Sequence, residues 1–439
     1  MKRATSKQRR PDRPAAALVT VDLERRIPAV SALRPRLLAL ASGAATPLYV
    51  YDAREARANL LRLRRAYGAA GIEIKIFYAI KSNPYPGLLR TVVEAGDGLD
   101  VSSPRELRLA LRAGARRIVF TGPAKSAADL QLALRHRRRV LVDLESVREL
   151  ATLGELATAR GCRVKCGLRL VTRHQARWSK FGIPLDELAT CWRVARRYPA
   201  LTIAGLQFHS GTLSGPQTVV ATLAELGPFL RSLPPADLAA LEFLDVGGGV
   251  TPEAYEGIYP WNREQAMSFD RDPRLNQRIL DDAVGPHHEP NEVLPVEAFA
   301  APVAEAFRRE ILALSPRVAL CAEPGKLISH STLHLLFSVA ELKGPRTIIV
   351  DAGTNMIGWE KYEYFDYAPI FNLTRWAPRR ERPTLVYGNL CTPHDLWGYY
   401  LRGRAVRVGD LLCMPYQGAY TYTLAQDFIR PVPPVLELI

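Results

Sequence analysis

The sequence lacks any long apolar segment, which excludes a protein anchored by membrane-spanning helices. No run reaches 18 consecutive apolar residues, roughly the shortest length that crosses a bilayer. The apolar run 15–21 is followed at once by Asp22 and Glu24, so we expect no signal peptide. With 439 residues, of which 48% are hydrophobic, the chain predicts large folded domains rather than a disordered or small disulfide-rich protein.

Cysteines are few and scattered, which excludes a disulfide scaffold and a C-x-x-C zinc ribbon. Most of the six lie in apolar runs, and we interpret them as reduced residues of a cytoplasmic protein. They are Cys162, Cys166, Cys191, Cys321, Cys391 and Cys413. His330 and His334 are four residues apart, but no Glu stands at the spacing of a zinc-protease helix. We therefore predict structural histidines and no metal site.

Acidic residues are too few to balance the basic ones, and the net charge is +15. Residues 1–15 supply +5 of that charge, and we predict a disordered basic tail there. The remaining excess is mostly arginine, with 49 Arg against 10 Lys in the whole chain. The base composition of the coding DNA produces such a skew as readily as a binding surface does. We therefore expect neither nucleic acid nor a membrane as the main partner.

Strand-like and helix-like segments alternate through the middle of the chain, which predicts a (β/α)8 barrel. The eight predicted strands are 73–78, 98–101, 117–121, 140–143, 163–170, 203–209, 241–246 and 317–323. We predict that the barrel covers residues 46–332, with an insert at 255–298. That insert is either a lid or partner-facing segment, or, as we favour, a tolerated surface insertion.

Beyond residue 333 the sequence changes to short strands separated by Gly, Pro and Asp. We predict strands at 347–350, 384–387, 404–408, 411–415 and 435–438. They indicate a second, β-rich domain of sandwich or barrel type, formed by residues 333–439 together with 16–45. The segment 17–23 is expected to pair with this domain.

Polar side chains stand where the predicted barrel strands end, at the rim where barrel enzymes build active sites. They are Lys81, Asp100, Thr121, Asp143, Arg169, His209, the glycines 247–249, and Glu323. A poorly solvated Lys81 would lose its proton easily and suit Schiff-base chemistry, although a surface lysine is the alternative. Backbone N–H groups of the glycines can cradle a phosphate, but such clusters are also plain turns. A lone histidine such as His209 is more often structural.

Ten ordered motifs resemble the fold-type III pyridoxal-phosphate decarboxylases, the family of diaminopimelate and ornithine or arginine decarboxylases. The resemblance runs from about residue 46 to residue 425. The motifs are FYAIKSNP (77–84), LDVSSPRE (99–106), VFTGPAKS (119–126), SKFGI (179–183), LQFHSGT (206–212), LDVGGGV (244–250), AEPGK (322–326), DAGTN (351–355), CTPHD (391–395) and GAYT (418–421). This family pairs a barrel with a β-domain and uses pyridoxal 5'-phosphate.

The resemblance implies a role for each matching residue. Lys81 would bond covalently to the cofactor, Glu323 would keep its ring nitrogen protonated, and His209 would stack on its ring. Asp100 would lie nearby in support. The phosphate would be held by Thr212, Gly248, Gly249 and Tyr420. Cys391 would act as an acid in the active site of a partner subunit, and Asp395 would share that loop, which implies a homodimer with composite sites.

The sequence departs from the family pattern where the substrate is expected to bind. Thr392 replaces the acidic residue that follows the family cysteine, and Lys326 replaces an arginine, which loses a bidentate fork. Trp359 aligns, within a residue or two, where diaminopimelate decarboxylases place an arginine. We interpret Lys326, Trp359, Thr392 and Asp395 as substrate-side residues.

The function expected from these observations is a carboxy-lyase of amino-acid metabolism. It would remove the α-carboxylate of an amino acid or of an amino-acid conjugate, as in siderophore or other secondary-metabolite pathways. The alternative is diaminopimelate decarboxylase, in lysine biosynthesis. A racemase of the same architecture would need a tyrosine base where this chain offers Cys391. The non-enzymatic alternative is a pyridoxal-phosphate-binding or nucleic-acid-associating protein that uses the basic tail.

Overall fold

Eight apolar runs bounded by turn residues form parallel strands that close into a barrel. A computed structural model describes residues 19–20, 23–175, 180–211, 215–253, 257–258, 274, 277, 281, 288–290, 292–358 and 366–438. In neighbouring order the barrel strands are Ile74–Ala79, Gly98–Val101, Ile118–Phe120, Val140–Leu144, Val164–Val171, Leu201–Gln207, Phe243–Asp245 and Ala319–Ala322. The last strand pairs with the first, so the sheet has no open edge between them. All eight predicted barrel strands are confirmed.

Helices between the strands cover the outside of the barrel, as the apolar 3.6-residue spacing predicts. They are Ala53–Ala69, Pro86–Glu94, Pro104–Arg112, Ala127–Arg135, Val147–Ala159, Leu188–Ala195, Pro216–Ser232, Pro235–Ala239 and Val296–Phe307. Several begin at side-chain caps: Ser103 accepts from the backbone N–H of Glu106, and Ser126 forms a capping box with Asp129. These caps fix where each loop at the carboxyl rim of the barrel ends.

A second sheet of eight strands follows the barrel and is largely closed on itself. Its strands, in neighbouring order, are Thr347–Val350, Glu381–Tyr387, Leu396–Arg402, Phe371–Asn372, Leu411–Met414, Leu333–Gly344, Leu48–Tyr51 and Val435–Glu437. The first of these also pairs with Leu333–Gly344, which closes six strands into a ring. The predicted β-rich second domain is therefore present, and the fold class is confirmed.

Three expectations about segment boundaries are wrong. Leu48–Tyr51 pairs with Leu333–Leu336 in the second sheet, so the barrel does not begin at residue 46 but with the helix Ala53–Ala69. Val19–Thr20, within the predicted pairing segment 17–23, pairs with Glu292–Val293 instead of the second sheet. The helix Val296–Phe307 begins inside the predicted insert 255–298, because its apolar residues pack into the barrel core.

Two further predictions concern the segments 16–45 and 404–408, which were assigned to the second domain. The helix Leu23–Ser42 packs Leu23, Ile27 and Leu37 against residues of that sheet. The predicted strand 404–408 is wrong, since Val408 is 58% exposed and the backbone N–H of Arg407 binds the Asp410 carboxylate in a turn. Most of the insert and the whole tail 1–15 lie outside the described residues. No helix within the described part of the chain is both long and apolar enough to cross a membrane.

Candidate active site

The carboxyl ends of the barrel strands bring Lys81 and Asp100 together. Lys81 lies in a single turn, Ile80–Ser82, that directly follows the strand Ile74–Ala79, and its Nζ is 3.7 Å from Asp100 Oδ2. Asp100 is only 1% exposed, and its other oxygen accepts a hydrogen bond from Thr121 Oγ1 at 2.6 Å. The Lys81 side chain is 44% exposed, so the amine stands over a buried carboxylate at an opening of the barrel.

The charges around Lys81 oppose the expectation that it deprotonates easily. Desolvation lowers the pKa of the amine, but Asp100, Tyr420 and Glu323 together outweigh it, and the net pKa is raised. In this state Lys81 is a cation. Because these negative groups hold the proton on Lys81, the amine must lose that proton before it acts as a nucleophile.

Glu323 follows the last barrel strand and presents one carboxylate oxygen without a partner. Its Oε2 accepts from Gln207 Nε2 at 3.1 Å, while Oε1 is buried and has no hydrogen-bond partner among the described residues. Burial, with Asp100 and Asp245 nearby, raises the pKa of Glu323 well above its ordinary value. A buried oxygen of this kind is expected to receive a hydrogen bond from a bound group.

His209 is held in one orientation and stays neutral. Its Nδ1 accepts a hydrogen bond from the backbone N–H of Gly248 at 3.0 Å, which leaves the ring proton on Nε2. Burial, followed by the charges of Lys81 and Arg169, lowers the pKa of His209 to about 3. The ring therefore offers a neutral, flat surface rather than a titrating base at neutral pH.

Glycines follow the strand Phe243–Asp245 at positions 247–249, and at Gly247 and Gly248 the surrounding atoms are too close for a side chain. Gly247 has a φ of +70°, and its N–H donates to Asp245 Oδ1 at 2.8 Å. A Cβ at Gly248 would lie 2.6 Å from the carbonyl oxygen of Glu323. The glycines thus let the backbone approach within contact of Glu323 and His209, as expected of a cradle for a small anion.

A segment of the second sheet domain lies against the same rim. The backbone N–H of Tyr420 donates to the carbonyl of Ser82 at 2.8 Å, and Asn83 Nδ2 donates to the carbonyl of Gly418 at 2.9 Å. The ammonium of Lys326 is 5.1 Å from the centre of the Tyr420 ring. The backbone of Tyr420, a predicted cofactor residue, therefore lies beside the turn that carries Lys81, and the predicted substrate residue Lys326 lies beside the Tyr420 ring.

Cys391 lies elsewhere in the chain, on the loop between the strands Glu381–Tyr387 and Leu396–Arg402. All six cysteines lie in the described part of the chain, and Cys391 is the exposed one among them. Thr392, which follows it, is half-buried. The predicted site residues Thr212 and Trp359 lie outside the described residues.

Asp395 lies on the Cys391 loop, and its carboxylate is buried. It is 1% exposed, and its two carboxylate oxygens accept from the backbone N–H groups of Thr354 and Leu390, each at 2.7 Å. A carboxylate fully engaged with its own backbone is an anchor of the loop. These bonds favour an anchoring role over the direct substrate contact that was expected of Asp395.

Residue-level reasoning missed an ionic arrangement beside the rim. Arg169 Nη1 binds Glu145 Oε1 at 3.0 Å, and the other Glu145 oxygen accepts from the N–H of Gly182 at 3.1 Å. The Arg169 guanidinium also lies 4.4 Å from the Phe181 ring centre. Arg169 was recognised as a strand end, but only the fold shows that it supports the turn that carries Phe181.

Two aspartates inside the barrel were also given no role. Asp143 is fully buried, and both of its carboxylate oxygens lack a hydrogen-bond partner among the described residues. Burial raises its pKa well above the ordinary value, and the same holds for Asp245. Their position at buried strand ends is the sequence signal that could have identified them, together with Gln207.

The residues of this rim fit pyridoxal phosphate. The unpartnered Glu323 Oε1 suits a protonated ring nitrogen, the glycine backbone suits a phosphate, and Lys81 is the amine that such a cofactor requires. A closed parallel barrel, a β-rich second domain and this rim define a pyridoxal-phosphate enzyme of the barrel type.

The family follows from comparison with known proteins. Residues 55–270 match the family described as "Pyridoxal-dependent decarboxylase, pyridoxal binding domain". This match and the relatives below support a fold-type III pyridoxal-phosphate-dependent decarboxylase, a carboxy-lyase that uses pyridoxal phosphate as its cofactor.

Relatives extend the similarity over most of the chain. The diaminopimelate decarboxylase of Methanothermobacter thermautotrophicus is 27% identical over 409 residues, which span 90% of this chain and 87% of the relative. A mutant diaminopimelate decarboxylase of Helicobacter pylori, in complex with L-lysine, is similar with a TM-score of 0.74 and 23% identity, covering 92% and 94% of the two chains. The lysine/ornithine decarboxylase of Vibrio vulnificus, in complex with putrescine, is similar with a TM-score of 0.70 and 22% identity. The match covers 92% of this chain and 97% of that one. At these identities the solved structures show the shared fold.

Proposed function

We propose that this decarboxylase removes the α-carboxylate of an amino acid or amino-acid conjugate whose far end lacks the free amine of diaminopimelate. The observation that carries the catalytic part is the buried Glu323 oxygen without a partner, on the same rim as Lys81 and the glycine cradle. Pyridoxal phosphate, when bound, supplies an electron sink for the electron pair that remains after the carboxylate leaves.

The chain's own residues divide the work around that cofactor. Lys81 anchors it covalently, and Asp100 orients the amine from 3.7 Å. Glu323 holds a proton at the ring nitrogen, because its buried carboxyl has one oxygen left to accept it. His209, neutral and fixed through Gly248, packs against the ring face. Gly249, Tyr420 and Thr212 would hold the phosphate, beside Gly248, whose own N–H binds His209 Nδ1.

Substrate recognition rests on the residues that depart from the family pattern. Thr392 offers a hydroxyl where an acidic residue would meet a distal amine. Lys326 keeps a single positive charge, held over the Tyr420 ring, suited to one carboxylate rather than to bidentate recognition. Both features favour a substrate whose distal amine is absent or masked, such as an amino acid joined to citrate or carried on a protein. The names of the relatives favour diaminopimelate itself, which is the second candidate.

We further propose a homodimer in the cytoplasm. Cys391 is exposed on the second sheet domain and is available to enter the active site of a partner subunit as a proton donor. None of the six cysteines, all within the described residues, is joined in a disulfide, in keeping with a reducing compartment.

Release of CO2 from a substrate panel tests the proposal. The holoenzyme would be offered free L- and D-amino acids, meso-diaminopimelate, and citrate- or carrier-linked amino acids. We expect release from a conjugate or from an amino acid without a free distal amine, and its loss in Lys81→Ala. Release from meso-diaminopimelate alone would overturn the substrate proposal and establish the second candidate.

A further inference from the structure

The carboxylate of Asp395 joins two loops of the second sheet domain. Its Oδ1 accepts from the N–H of Thr354, in the turn that follows the strand Thr347–Val350. Its Oδ2 accepts from the N–H of Leu390, the residue directly before Cys391. Both distances are 2.7 Å, which is short for bonds between an amide and a carboxylate. One buried charge therefore fixes the Cys391 loop to its neighbour.

The backbone around Asp395 is shaped to keep the carboxylate in place. The N–H of Gly388 donates to the Asp395 carbonyl at 2.7 Å, and a Cβ at Gly388 would lie 2.2 Å from Asp395 Oδ2. Only a glycine at this position leaves room for the carboxylate. The N–H of Asp395 in turn donates to the Thr392 carbonyl at 3.3 Å, which closes the turn that directly follows Cys391.

Two neighbouring side chains hold the same pair of loops together. Asn389 Nδ2 donates to the carbonyl of Asp351 at 2.9 Å, and Trp397 Nε1 donates to the carbonyl of Ala352 at 2.9 Å. Hydrogen bonds thus join the Cys391 loop to the segment 351–354 at several points. The buried Asp395 carboxylate accepts from both segments. Cys391 itself stays exposed.

We propose that Asp395 is a positioning residue for Cys391. It sets the direction of the thiol by holding the backbone on both sides of it, and it does not contact the substrate. This inference rests on the proposed function, in which Cys391 delivers a proton. A proton donor must be held within hydrogen-bond reach of the atom it protonates, so a loosened loop lowers the rate of that step more than it lowers substrate binding.

The test combines hydrogen exchange with kinetics in Asp395→Asn. The amide group has nearly the same size as the carboxylate, but its NH2 faces a backbone N–H and one of the two bonds is lost. We expect faster deuterium uptake in peptides that cover 351–356 and 388–396. We expect kcat to fall about tenfold with KM within about twofold of the parent, the scale of one lost charged hydrogen bond.

A second variant leaves Asp395 intact. Thr354→Pro removes the N–H that binds Oδ1, at the first position of a short turn where proline is tolerated. Gly353 before it has extended dihedrals of −95° and 148°, which suit the residue before a proline. Thr354→Pro should therefore also show faster exchange, a lower kcat and little change in KM, as Asp395→Asn does. Because this variant keeps the Asp395 carboxylate, the effect would come from the lost bond and not from a changed side chain at 395.

Asp410→Asn is the matched control. Asp410 is also buried in the second sheet domain, and its Oδ2 accepts from Arg407 N–H and from Asn372 Nδ2. Its substitution should increase exchange near residues 407–411 and leave kcat unchanged. An equal fall of kcat in Asp410→Asn would mean that general loosening of the domain explains the effect, and would overturn the proposal.

The Cys391→Ala background separates positioning from a direct role. If Asp395 acts through Cys391, Asp395→Asn should lower kcat less than about twofold in that background, because coupled residues are not additive. A full tenfold loss there, or a raised KM with unchanged exchange, would contradict the proposal. The exchange measurement needs no substrate, so failure of the decarboxylase proposal is distinguishable from failure of this one.

Discussion

Gln207 and Glu323 share a buried hydrogen bond, 3.1 Å from Nε2 to Oε2, that fixes the carboxyl and leaves its other oxygen unpartnered within the described structure. Gln207 ends one barrel strand and Glu323 follows another, and the strand Phe243–Asp245 lies between them in the sheet. The barrel thus holds a carboxyl ready for one more hydrogen bond, at the depth where a cofactor ring would lie.

The first prediction concerns that carboxyl. Glu323→Gln keeps the size of the side chain but has no carboxylate to hold a proton on the ring nitrogen, so that nitrogen would lose its charge. We expect cofactor affinity to change little and kcat to fall by about a hundredfold or more, the range for a lost proton-transfer group. Spectrophotometric titration and steady-state kinetics measure the two effects. Glu55→Gln, outside this rim, should keep kcat, and a parental kcat in Glu323→Gln would refute the assigned role.

The second prediction concerns the glycine cradle. Gly248→Ala places a Cβ 2.6 Å from the Glu323 carbonyl oxygen, so the backbone must shift away from the cofactor phosphate. We expect its Kd for pyridoxal phosphate to rise about tenfold, the effect of roughly one lost hydrogen bond. Gly68→Ala is the control, since Gly68 lies in a helix with nothing within 4 Å of a new Cβ.

Gly68→Ala should stabilise the protein by about 0.5 kcal/mol, because alanine restricts the unfolded chain. Its Kd for the cofactor should stay unchanged. Equal cofactor affinity in Gly248→Ala and Gly68→Ala would show that the glycine cluster is a plain turn.

The third prediction concerns acid stability. His334 is fully buried, and its Nδ1 accepts from the N–H of Tyr416 at 3.2 Å. Burial lowers the pKa of His334 to about 4, against about 6.5 in the unfolded chain. Between these values the unfolded state binds a proton that the folded state does not. The contribution of the buried, neutral His334 to the free energy of unfolding is therefore full above pH 6.5 and is lost as the pH falls toward 4.

Urea unfolding of the parent and of His334→Asn at pH 7 and pH 4.5 measures that loss. Asparagine keeps an acceptor for Tyr416 but does not titrate. The parent should lose about 2 to 3 kcal/mol more than the variant between the two pH values, as the pKa difference requires. His209 contributes in the same direction in both proteins, and the buried acids in the opposite one. Parallel pH dependence in the two proteins would contradict the assignment.

The fourth prediction concerns the composite site. Lys81→Ala homodimers should be inactive and Cys391→Ala homodimers slow. Subunits mixed in equal amounts and allowed to exchange should recover about a quarter of the parental activity, because half the dimers are mixed and each has one intact site. Control mixtures of Lys81→Ala with parental subunits give the expected dilution. Absence of any recovery after verified exchange would place Cys391 outside the partner's site.

The barrel could be predicted because its strands are apolar runs that each end at a turn residue. The order of the predicted strands places Lys81, Asp100, His209 and Glu323 on one rim, and the fold brings them together there. The strands of the second sheet were harder to predict from the sequence. Leu396–Arg402 was missed because Gly398 interrupts its pattern, and 404–408 was predicted as a strand although its valine is exposed.

The role of Asp395 could not be predicted from sequence for a physical reason. Its partners are backbone N–H groups, which every residue except proline carries and no motif displays. The raised pKa of Lys81 was missed for a similar reason, since the carboxylates that raise it come from distant strands. Long-range electrostatics and backbone hydrogen bonds depend on the assembled fold.

The account depends most directly on Lys81. The parent loaded with pyridoxal phosphate would be reduced with borohydride, digested and mapped by mass spectrometry, beside Lys81→Ala and the surface variant Lys165→Ala, whose amine pairs with Glu242 in the parent. We predict that the reduced cofactor is attached to Lys81 in the parent and in Lys165→Ala, and that attachment is absent from Lys81→Ala. Attachment at another lysine, or an equal yield in Lys81→Ala, would contradict the account.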